Sequence, residues 1–335
     1  MKRLTTIFFV IVLAASFLLI AGPGTSSAKD YVFKYANTQS DNHPRSKSMV
    51  FFKNMLEKAS NGKIKVELYF SGVLGKEAEV LDMVKLGTVQ GCRGGLFERA
   101  NKKYLMYTLP FLFEDAGKVV AVMRSDLGIK INKGAMANGF YIPATGVAGG
   151  MRNITNSKLP ITNVGDLKGL KMRTPPIDVT IRTFKALGAN PQQVAYTETY
   201  MALKTGVVDG QENPFSNAVD MKFYEAQKYL SVVNWQVHPD PFYVNPGWYN
   251  KLPSDLKAVF DAVSEATMIY SDTIWLNSET GYLNILKSKL KVNFMDPKNR
   301  PGFLSGVKGV WQYYVDAGYF TWDEINEAIA IAAKQ

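Results

Sequence analysis

The chain has few of the residues that build disulfide scaffolds, metal centres and nucleophilic sites. Its 335 residues include one cysteine, Cys92, and two histidines, His43 and His238. A single cysteine excludes a disulfide framework and any multi-cysteine zinc site. Two histidines leave little material for a metal site or a Cys–His pair. We therefore expect no metal, no cofactor and no catalytic residue.

The sequence motifs of several enzyme classes are also missing. The chain has no HExxH, no G-x-S-x-G and no GxxxxGK(S/T), and no GxGxxG follows residue 28. These absences argue against metalloproteases, serine hydrolases, P-loop enzymes and dinucleotide-binding enzymes. Paired carboxylates have no comparable motif, so a secreted hydrolase of the carboxylate type stays open as an alternative.

Long apolar runs are missing everywhere except at the N-terminus. Lys2 and Arg3 precede an apolar run over residues 7–21, and small residues follow up to Ala28. This order is typical of a secretory signal peptide. The run is shorter than the roughly 20 residues that span a bilayer comfortably. We predict that residues 1–28 are a signal peptide cleaved near Ala28, with an uncleaved anchor as the alternative.

The charge of the chain is positive but not clustered. The formal net charge is +10 at pH 7, and Lys and Arg residues stand singly among Asp and Glu residues. A nucleic-acid-binding surface usually shows a basic stripe or patch, so we predict no nucleic-acid partner. The positive field favours small anionic ligands.

Predicted strands and helices alternate after residue 28, which indicates an α/β fold with mainly parallel sheets. The remaining length suits two domains, and Gly149-Gly150 is the predicted boundary. Residues 254–289 contain no proline and one glycine, so they predict one long helix that bridges the domains. The predicted limits are 29–150 for domain I, with 239–277 returning to it, and 151–238 for domain II, with 278–335 returning to it.

Proline and glycine positions predict two further local elements. Residues 214–230 contain no glycine and no proline after Pro214, and they predict one continuous helix. Residues 238–242 contain two prolines, which remove backbone donors, so they predict a loop that crosses between the domains.

Arg173 is the strongest candidate for ligand binding. It lies at the carboxyl end of a strand predicted over 170–174, before the Pro175-Pro176 turn that stops the strand. Open α/β sheets bind their ligands at the carboxyl ends of strands. A guanidinium can hold a carboxylate with two parallel hydrogen bonds, which an ammonium cannot do. The alternative for Arg173 is a structural salt bridge.

Weaker candidates follow other predicted strand ends. Arg152 follows the domain boundary and could close over an anion, or form a structural ion pair. Asn213 could contact a ligand or cap the helix predicted from Pro214. Tyr196 could stack on a ligand, donate its hydroxyl, or pack in the core. Three residues of the first domain are predicted to face the same cleft: Asn37, His43 and Arg93.

The segments GLKMRTP, ALGANPQQVAYTETYMAL and GVVDGQENP resemble the solute-binding proteins of tripartite ATP-independent periplasmic (TRAP) transporters. Similar segments cover nearly the whole chain after residue 28, including TLPFLF and WYNKLPSDLKAVF. The resemblance implies a two-domain periplasmic solute-binding fold with a ligand cleft between the domains and a long bridging helix. It also implies an arginine at the position of Arg152. Arg93 departs from the small or acidic residues expected there, and could add a third positive contact.

The resemblance implies a function in transport and no enzymatic activity. The expected ligand is a small organic acid anion, which a periplasmic monomer delivers to the integral-membrane permease subunits of a TRAP transporter. Sugar acids, dicarboxylates, aromatic acids and keto acids all remain open as ligands. Besides the hydrolase, a periplasmic adaptor that binds only protein is an alternative. Turnover of a substrate would favour the hydrolase, and a cleft that accepts no acid would favour the adaptor.

Overall fold

A computed structural model describes residues 31–335, and the predicted signal peptide with its cleavage point lies outside these residues. Within them, no helix is both long enough and apolar enough to cross a membrane. The described residues form eleven strands: β1 (Tyr31–Ala36), β2 (Ile64–Tyr69), β3 (Gly91–Arg93), β4 (Thr145–Val147), β5 (Arg152–Asn156), β6 (Lys171–Thr174), β7 (Asn190–Gln193), β8 (Gly210–Asn213), β9 (Tyr229–Gln236), β10 (Pro239–Val244) and β11 (Lys291–Phe294).

The strands form two separate sheets. The first sheet has the order β2-β1-β3-β10-β4, and the second has the order β11-β9-β5-β8-β6-β7. Five of the strand pairings are parallel and four are antiparallel. Parallel pairing therefore predominates as predicted, but only narrowly. The antiparallel pairs involve β5 and β10, the strands that follow the two crossings between the sheets.

Helices cover both sheets. They are α1 (Pro44–Ala59), α2 (Glu77–Leu86), α3 (Ala116–Met123), α4 (Asp126–Gly134), α5 (Asp178–Ala186), α6 (Thr199–Lys204), α7 (Phe215–Asp220), α8 (Pro246–Asn250), α9 (Ser254–Lys287), α10 (Arg300–Asp316) and α11 (Trp322–Ala333). The apolar face of α1 packs on the first sheet, where Phe52 contacts the rings of Phe33 and Phe242. These ring contacts place the first core between α1 and the strands.

Two local predictions were wrong. The helix predicted over 214–230 ends at Asp220, because Lys222 adopts a left-handed conformation with φ of 51°. The loop predicted over 238–242 is strand β10 instead. Its prolines lie beside β4 but beyond the end of β3, so the missing N–H groups of Pro239 and Pro241 leave no ladder hydrogen bond unmade.

The predicted long helix is present as α9, which spans 34 residues, or about 51 Å at about 1.5 Å per residue. It packs on α1 beside the first sheet and on α7 beside the second. Gly149, in the crossing from β4 to β5, has φ of +104°, and a Cβ there would lie 2.8 Å from Pro214 and 3.0 Å from the ring of Trp275 on α9. A glycine is therefore required where the chain passes the bridging helix.

The two sheets take their strands from different parts of the chain. The first sheet takes its strands from residues 31–93, 145–147 and 239–244, and the second takes them from residues 152–236 and 291–294. The last helix, α11, nevertheless packs on α3, a helix of the predicted domain I. The exact domain limits stay a prediction.

Candidate functional site

A cavity of about 140 Å³ lies where segments of the two sheets meet. A single buried water requires only about 10–15 Å³, so this cavity can hold a small organic molecule. Its wall includes four of the predicted site residues, together with three charged side chains that sequence reasoning did not single out. The charged and polar wall residues are Thr38, Gln39, Arg45, Lys76, Glu77, Arg152, Arg173, Tyr196, Thr197, Asn213, Asn217 and His238.

Arg173 lines this cavity from the carboxyl end of β6, as predicted from its position before the Pro175-Pro176 turn. Its side chain is buried, with 2% of the residue exposed. Its Nε donates to the carbonyl oxygen of Val194 at 2.9 Å. No carboxylate of residues 31–335 lies within ion-pair distance of its guanidinium. The predicted alternative of a structural salt bridge is therefore absent from this part of the chain.

The electrostatic surroundings of Arg173 reflect that burial. Burial lowers its pKa to about 10, with the nearby charge of Glu212 raising the pKa and that of Arg152 lowering it further. The guanidinium is still protonated at neutral pH. A buried cation without a close counter-ion is costly unless an anion pairs with it, and the cavity is the space from which an anion can approach.

Arg152 also lines the cavity, but its charge is already paired. It lies on β5 beside β8, and its Nη2 donates to Oε1 of Glu212 at 2.8 Å and to the backbone oxygen of Glu212 at 2.8 Å. Its Nε contacts the other carboxylate oxygen at 2.5 Å. The ion pair that was the alternative for Arg152 is thus present. Because Glu212 already neutralises its charge, Arg152 can contribute less than Arg173 to the binding of an anion.

Asn213 and Tyr196 complete the predicted residues in the wall. The amide oxygen of Asn213 accepts from Nη2 of Arg152 at 3.1 Å and from Asn217 at 3.2 Å. It does not cap the next helix, whose N-cap is Pro214. The buried hydroxyl of Tyr196 lies beside Gln39, and neither group makes a well-formed hydrogen bond within the described residues. Both residues belong to the cavity wall, and each keeps a polar atom without a hydrogen-bond partner among the described residues.

Asn37, His43 and Arg93 are buried but lie outside the cavity wall. Asn37 organises its own loop, donating to Ser46 at 3.1 Å and accepting from the backbone of Gln39 at 2.5 Å. His43 is the N-cap of α1, and its Nε2 lies 3.3 Å from Oδ1 of Asn217. Burial holds its pKa well below the ordinary value, so the ring is neutral.

Arg93 has a different structural role from the predicted third contact. It forms a buried ion pair with Asp240 and donates to Ser48 at 2.6 Å and to Ser271 on α9 at 3.1 Å. Asp240 also pairs with Arg45, whose Nε lies 3.0 Å from Oδ2. One carboxylate therefore serves two guanidinium groups, and Arg45 is the one of the two that reaches the cavity.

Sequence reasoning missed the charged wall residues Arg45, Lys76 and Glu77, and it also missed His238. Arg45 lies near the start of α1, and no local pattern distinguishes it from a surface arginine. His238 follows the second crossing between the sheets, and its Nε2 donates to the amide oxygen of Gln236 at 2.7 Å. Burial, with the charges of Arg152, Arg173 and Arg45, holds its pKa well below the ordinary value. The imidazole is therefore a neutral wall group.

The buried charges near the cavity do not cancel. Arg152 and Glu212 neutralise each other, while Arg45 and Arg93 share the single charge of Asp240. Arg173 adds a further positive charge. Even with Glu77 ionised, the sum is positive, so the cavity is electrostatically suited to an anion.

The comparison with known families matches this geometry. The model of the family described as "Bacterial extracellular solute-binding protein, family 7" (DctP) matches residues 35–317. The chain belongs to this family. Family 7 comprises the solute-binding proteins of TRAP transporters, as the sequence resemblance predicted, and solute-binding proteins are generally not enzymes.

Individual relatives agree with the family 7 membership. The chain is 31% identical over 330 residues to the C4-dicarboxylate-binding periplasmic protein DctP of Vibrio cholerae, covering 93% of this chain and 94% of that protein. A sugar acid binding protein of Advenella mimigardefordensis, solved with galactonate, superposes with a TM-score of 0.86 at 26% identity, covering 92% and 99% of the two chains. A TRAP solute-binding protein from Polaromonas bound to D-erythronate gives a TM-score of 0.85 at 26% identity, with 90% and 99% covered. The two-domain solute-binding fold is therefore confirmed.

Proposed function

We propose that this family 7 protein captures a small organic acid anion in the cavity and that Arg173 binds its carboxylate. The observation that carries the proposal is a buried guanidinium at a strand end, without a carboxylate partner in residues 31–335, in the wall of a cavity. A charge-assisted, two-pronged hydrogen bond would satisfy it. Arg152 and Asn213 support the site from the second sheet, and Tyr196 offers its hydroxyl.

The names of the relatives support the ligand class. The Vibrio cholerae relative binds C4-dicarboxylates, and the two solved structures contain sugar acids. All of these ligands carry a carboxylate, which is the group that Arg173 is placed to hold. We propose that this chain works in the periplasm, as the Vibrio cholerae protein does, and delivers its ligand to the membrane permease subunits of a TRAP transporter.

Contacts across the cleft support a binding cycle in which the domains close on the ligand. Nζ of Lys76 lies 2.6 Å from Oε1 of Glu198 on the opposite side. The hydroxyl of Ser40 donates to Asp220, and the backbone N–H of Ser40 lies 3.4 Å from its other carboxylate oxygen. These pairs form only when the two halves are together. We propose that the described arrangement is a closed form, which ligand binding favours over an open form.

The wall gives little support to the two alternatives. A hydrolase of the carboxylate type needs a pair of carboxyl groups facing one substrate, and Glu77 is the only carboxylic acid among the described wall residues. An adaptor that binds only protein has no use for a buried cation without a counter-ion in the wall of a cavity. Both observations favour a binding protein for a small anion.

A thermal-shift screen tests the proposal. The chain from residue 29 onward would be unfolded and refolded to remove co-purified ligand, then screened against organic acids and matched neutral alcohols. A ligand at a hundred times its dissociation constant should stabilise the protein by about 2.7 kcal/mol. Stabilisation by one or more acids and by none of the alcohols is expected. A panel in which no acid raises the melting temperature would overturn the proposal.

A further inference from the structure

The cavity wall holds one acidic group that the capture of an anion does not require. Glu77 is the first residue of α2, and it lies in the wall together with Arg173 and Arg45. Its charge is near enough to Arg173 to raise the pKa of that guanidinium. A carboxylate in a site for anions weakens anion binding in general, so its presence calls for a function that a neutral side chain would not provide.

Glu77 is held firmly by the neighbouring backbone. Its Oε1 accepts from the backbone N–H of Leu96 at 2.9 Å, and the nearby backbone N–H of Gly95 also lowers the pKa of the carboxyl group. A Cβ at Gly94 would lie 2.1 Å from Oε1, so a larger residue there would displace the Glu77 side chain from this position. The loop over residues 94–96 therefore fixes the direction of the Glu77 side chain.

The Glu77 carboxylate lines the cavity without being neutralised by a nearby cation of the described residues. No arginine or lysine of residues 31–335 pairs with this carboxylate within 4.0 Å, although Lys76, Arg45 and Arg173 all line the same cavity. Burial raises its pKa, while the charge of Arg45 and the two backbone N–H donors lower it. The carboxylate thus has one oxygen anchored to the loop, and it stands in the cavity wall without a cationic partner in residues 31–335.

We infer that Glu77 selects ligands that carry a hydroxyl group beyond the carboxylate held by Arg173, and disfavours ligands that carry a second carboxylate. This inference rests on the proposed function of the same cavity. A carboxylate oxygen is a strong acceptor for a ligand O–H. The same oxygen repels a second carboxylate, and a charge that opposes the wrong ligand is an effective means of discrimination. The substrate class is then a hydroxylated monocarboxylate.

Matched ligands make the test sharp. D-Erythronate and succinate have the same number of carbon atoms, but the first carries hydroxyl groups and the second a further carboxylate. Calorimetric titration of the chain from residue 29 onward should give tighter binding of D-erythronate than of succinate. A second matched pair, galactonate and adipate, extends the comparison to a longer chain. Tighter binding of the dicarboxylate in both pairs would overturn the inference.

The deciding variant is Glu77→Gln, with Glu79→Gln as its control. The glutamine can still accept from Leu96, so the loop is preserved, but the cavity loses its negative charge. The preference for the hydroxy acid over the dicarboxylate should fall roughly tenfold to a hundredfold, through weaker binding of the first and tighter binding of the second. Glu79 lies on the same helix turn, is exposed, and is not a wall residue, so its variant should keep the preference of the parent.

The two proposals fail in distinguishable ways. If neither pair of acids binds and the wider acid panel also gives no stabilisation, the proposed function fails and the inference fails with it. If acids bind and Arg173 is needed for binding, but Glu77→Gln keeps the parent's preference, only the inference about Glu77 is wrong.

Discussion

Arg173 and Arg152 should respond oppositely to replacement by methionine. We expect the free energy of unfolding of the unliganded protein to rise in Arg173→Met and to fall in Arg152→Met. Burial lowers the pKa of Arg173 from the ordinary value of an arginine to about 10. At about 1.4 kcal/mol for each pKa unit, keeping this cation charged costs the unliganded protein about 3 kcal/mol. Because the folded pKa is the lower one, this cost is present in full below about pH 10 and is relieved only as the pH rises from there toward the ordinary pKa of an arginine.

Arg173→Met removes that cost and keeps most of the side-chain volume. It also removes the hydrogen bond to Val194, which is worth about 1 kcal/mol. We therefore expect the free energy of unfolding of the unliganded protein to rise by about 1–2 kcal/mol, while stabilisation by organic acids is lost. Arg152→Met is the matched control. It leaves the buried carboxylate of Glu212 unpaired, which should destabilise the protein by about 3–5 kcal/mol.

Urea unfolding, followed by tryptophan fluorescence with and without a saturating acid, measures both effects after co-purified ligand has been removed. Arg173→Met should unfold at a higher urea concentration than the ligand-free parent and should not respond to the acid. Equal destabilisation by the two substitutions would refute the reasoning, since Arg173 would then be a structural cation like Arg152.

Three further predictions concern other parts of the molecule. The exported protein should begin at or near Lys29, which intact-mass measurement checks, and a product that keeps residues 1–28 would contradict it. Ligand should reduce the radius of gyration in small-angle scattering, and an unchanged radius at saturation would count against closure. Asp220→Ala loses the contact with Ser40. This variant should therefore bind ligand about threefold to tenfold more weakly. Burial raises the pKa of Asp272 to about 7, so the folded state binds more protons than the unfolded state between about pH 4 and about pH 7. The stability of the parent relative to Asp272→Asn should therefore fall as the pH rises through that window, and urea titrations that show no such fall would disprove it.

Local signals were sufficient to predict most of the fold. The Pro175-Pro176 turn located the end of β6 and, with it, Arg173. The absence of proline over residues 254–289 predicted α9 almost to its observed end at Lys287. Both signals are local, because proline and helix-forming residues act mainly on their own backbone.

The errors came from contacts between distant parts of the chain. Two prolines made residues 238–242 resemble a loop, but the sheet tolerates them because β3 ends before it reaches them. Arg93 does lie at a strand end, as the last residue of β3, yet it pairs with Asp240, far along the chain, instead of a ligand. Glu77 and Arg45 reach the cavity only through the arrangement of α1 and α2 around the first sheet. No pattern of residues along the sequence predicts such packing.

The most direct test of the central claim is calorimetric titration of Arg173→Ala with the acid that binds the parent protein best. Truncating one partner of a buried charged pair costs about 2–5 kcal/mol, which corresponds to roughly thirty-fold to several thousand-fold weaker binding. Arg173→Lys should also bind more weakly, because an ammonium lacks the two-pronged geometry. We predict this loss in Arg173→Ala, and binding equal to that of the parent would contradict the role of Arg173 as the carboxylate-binding residue.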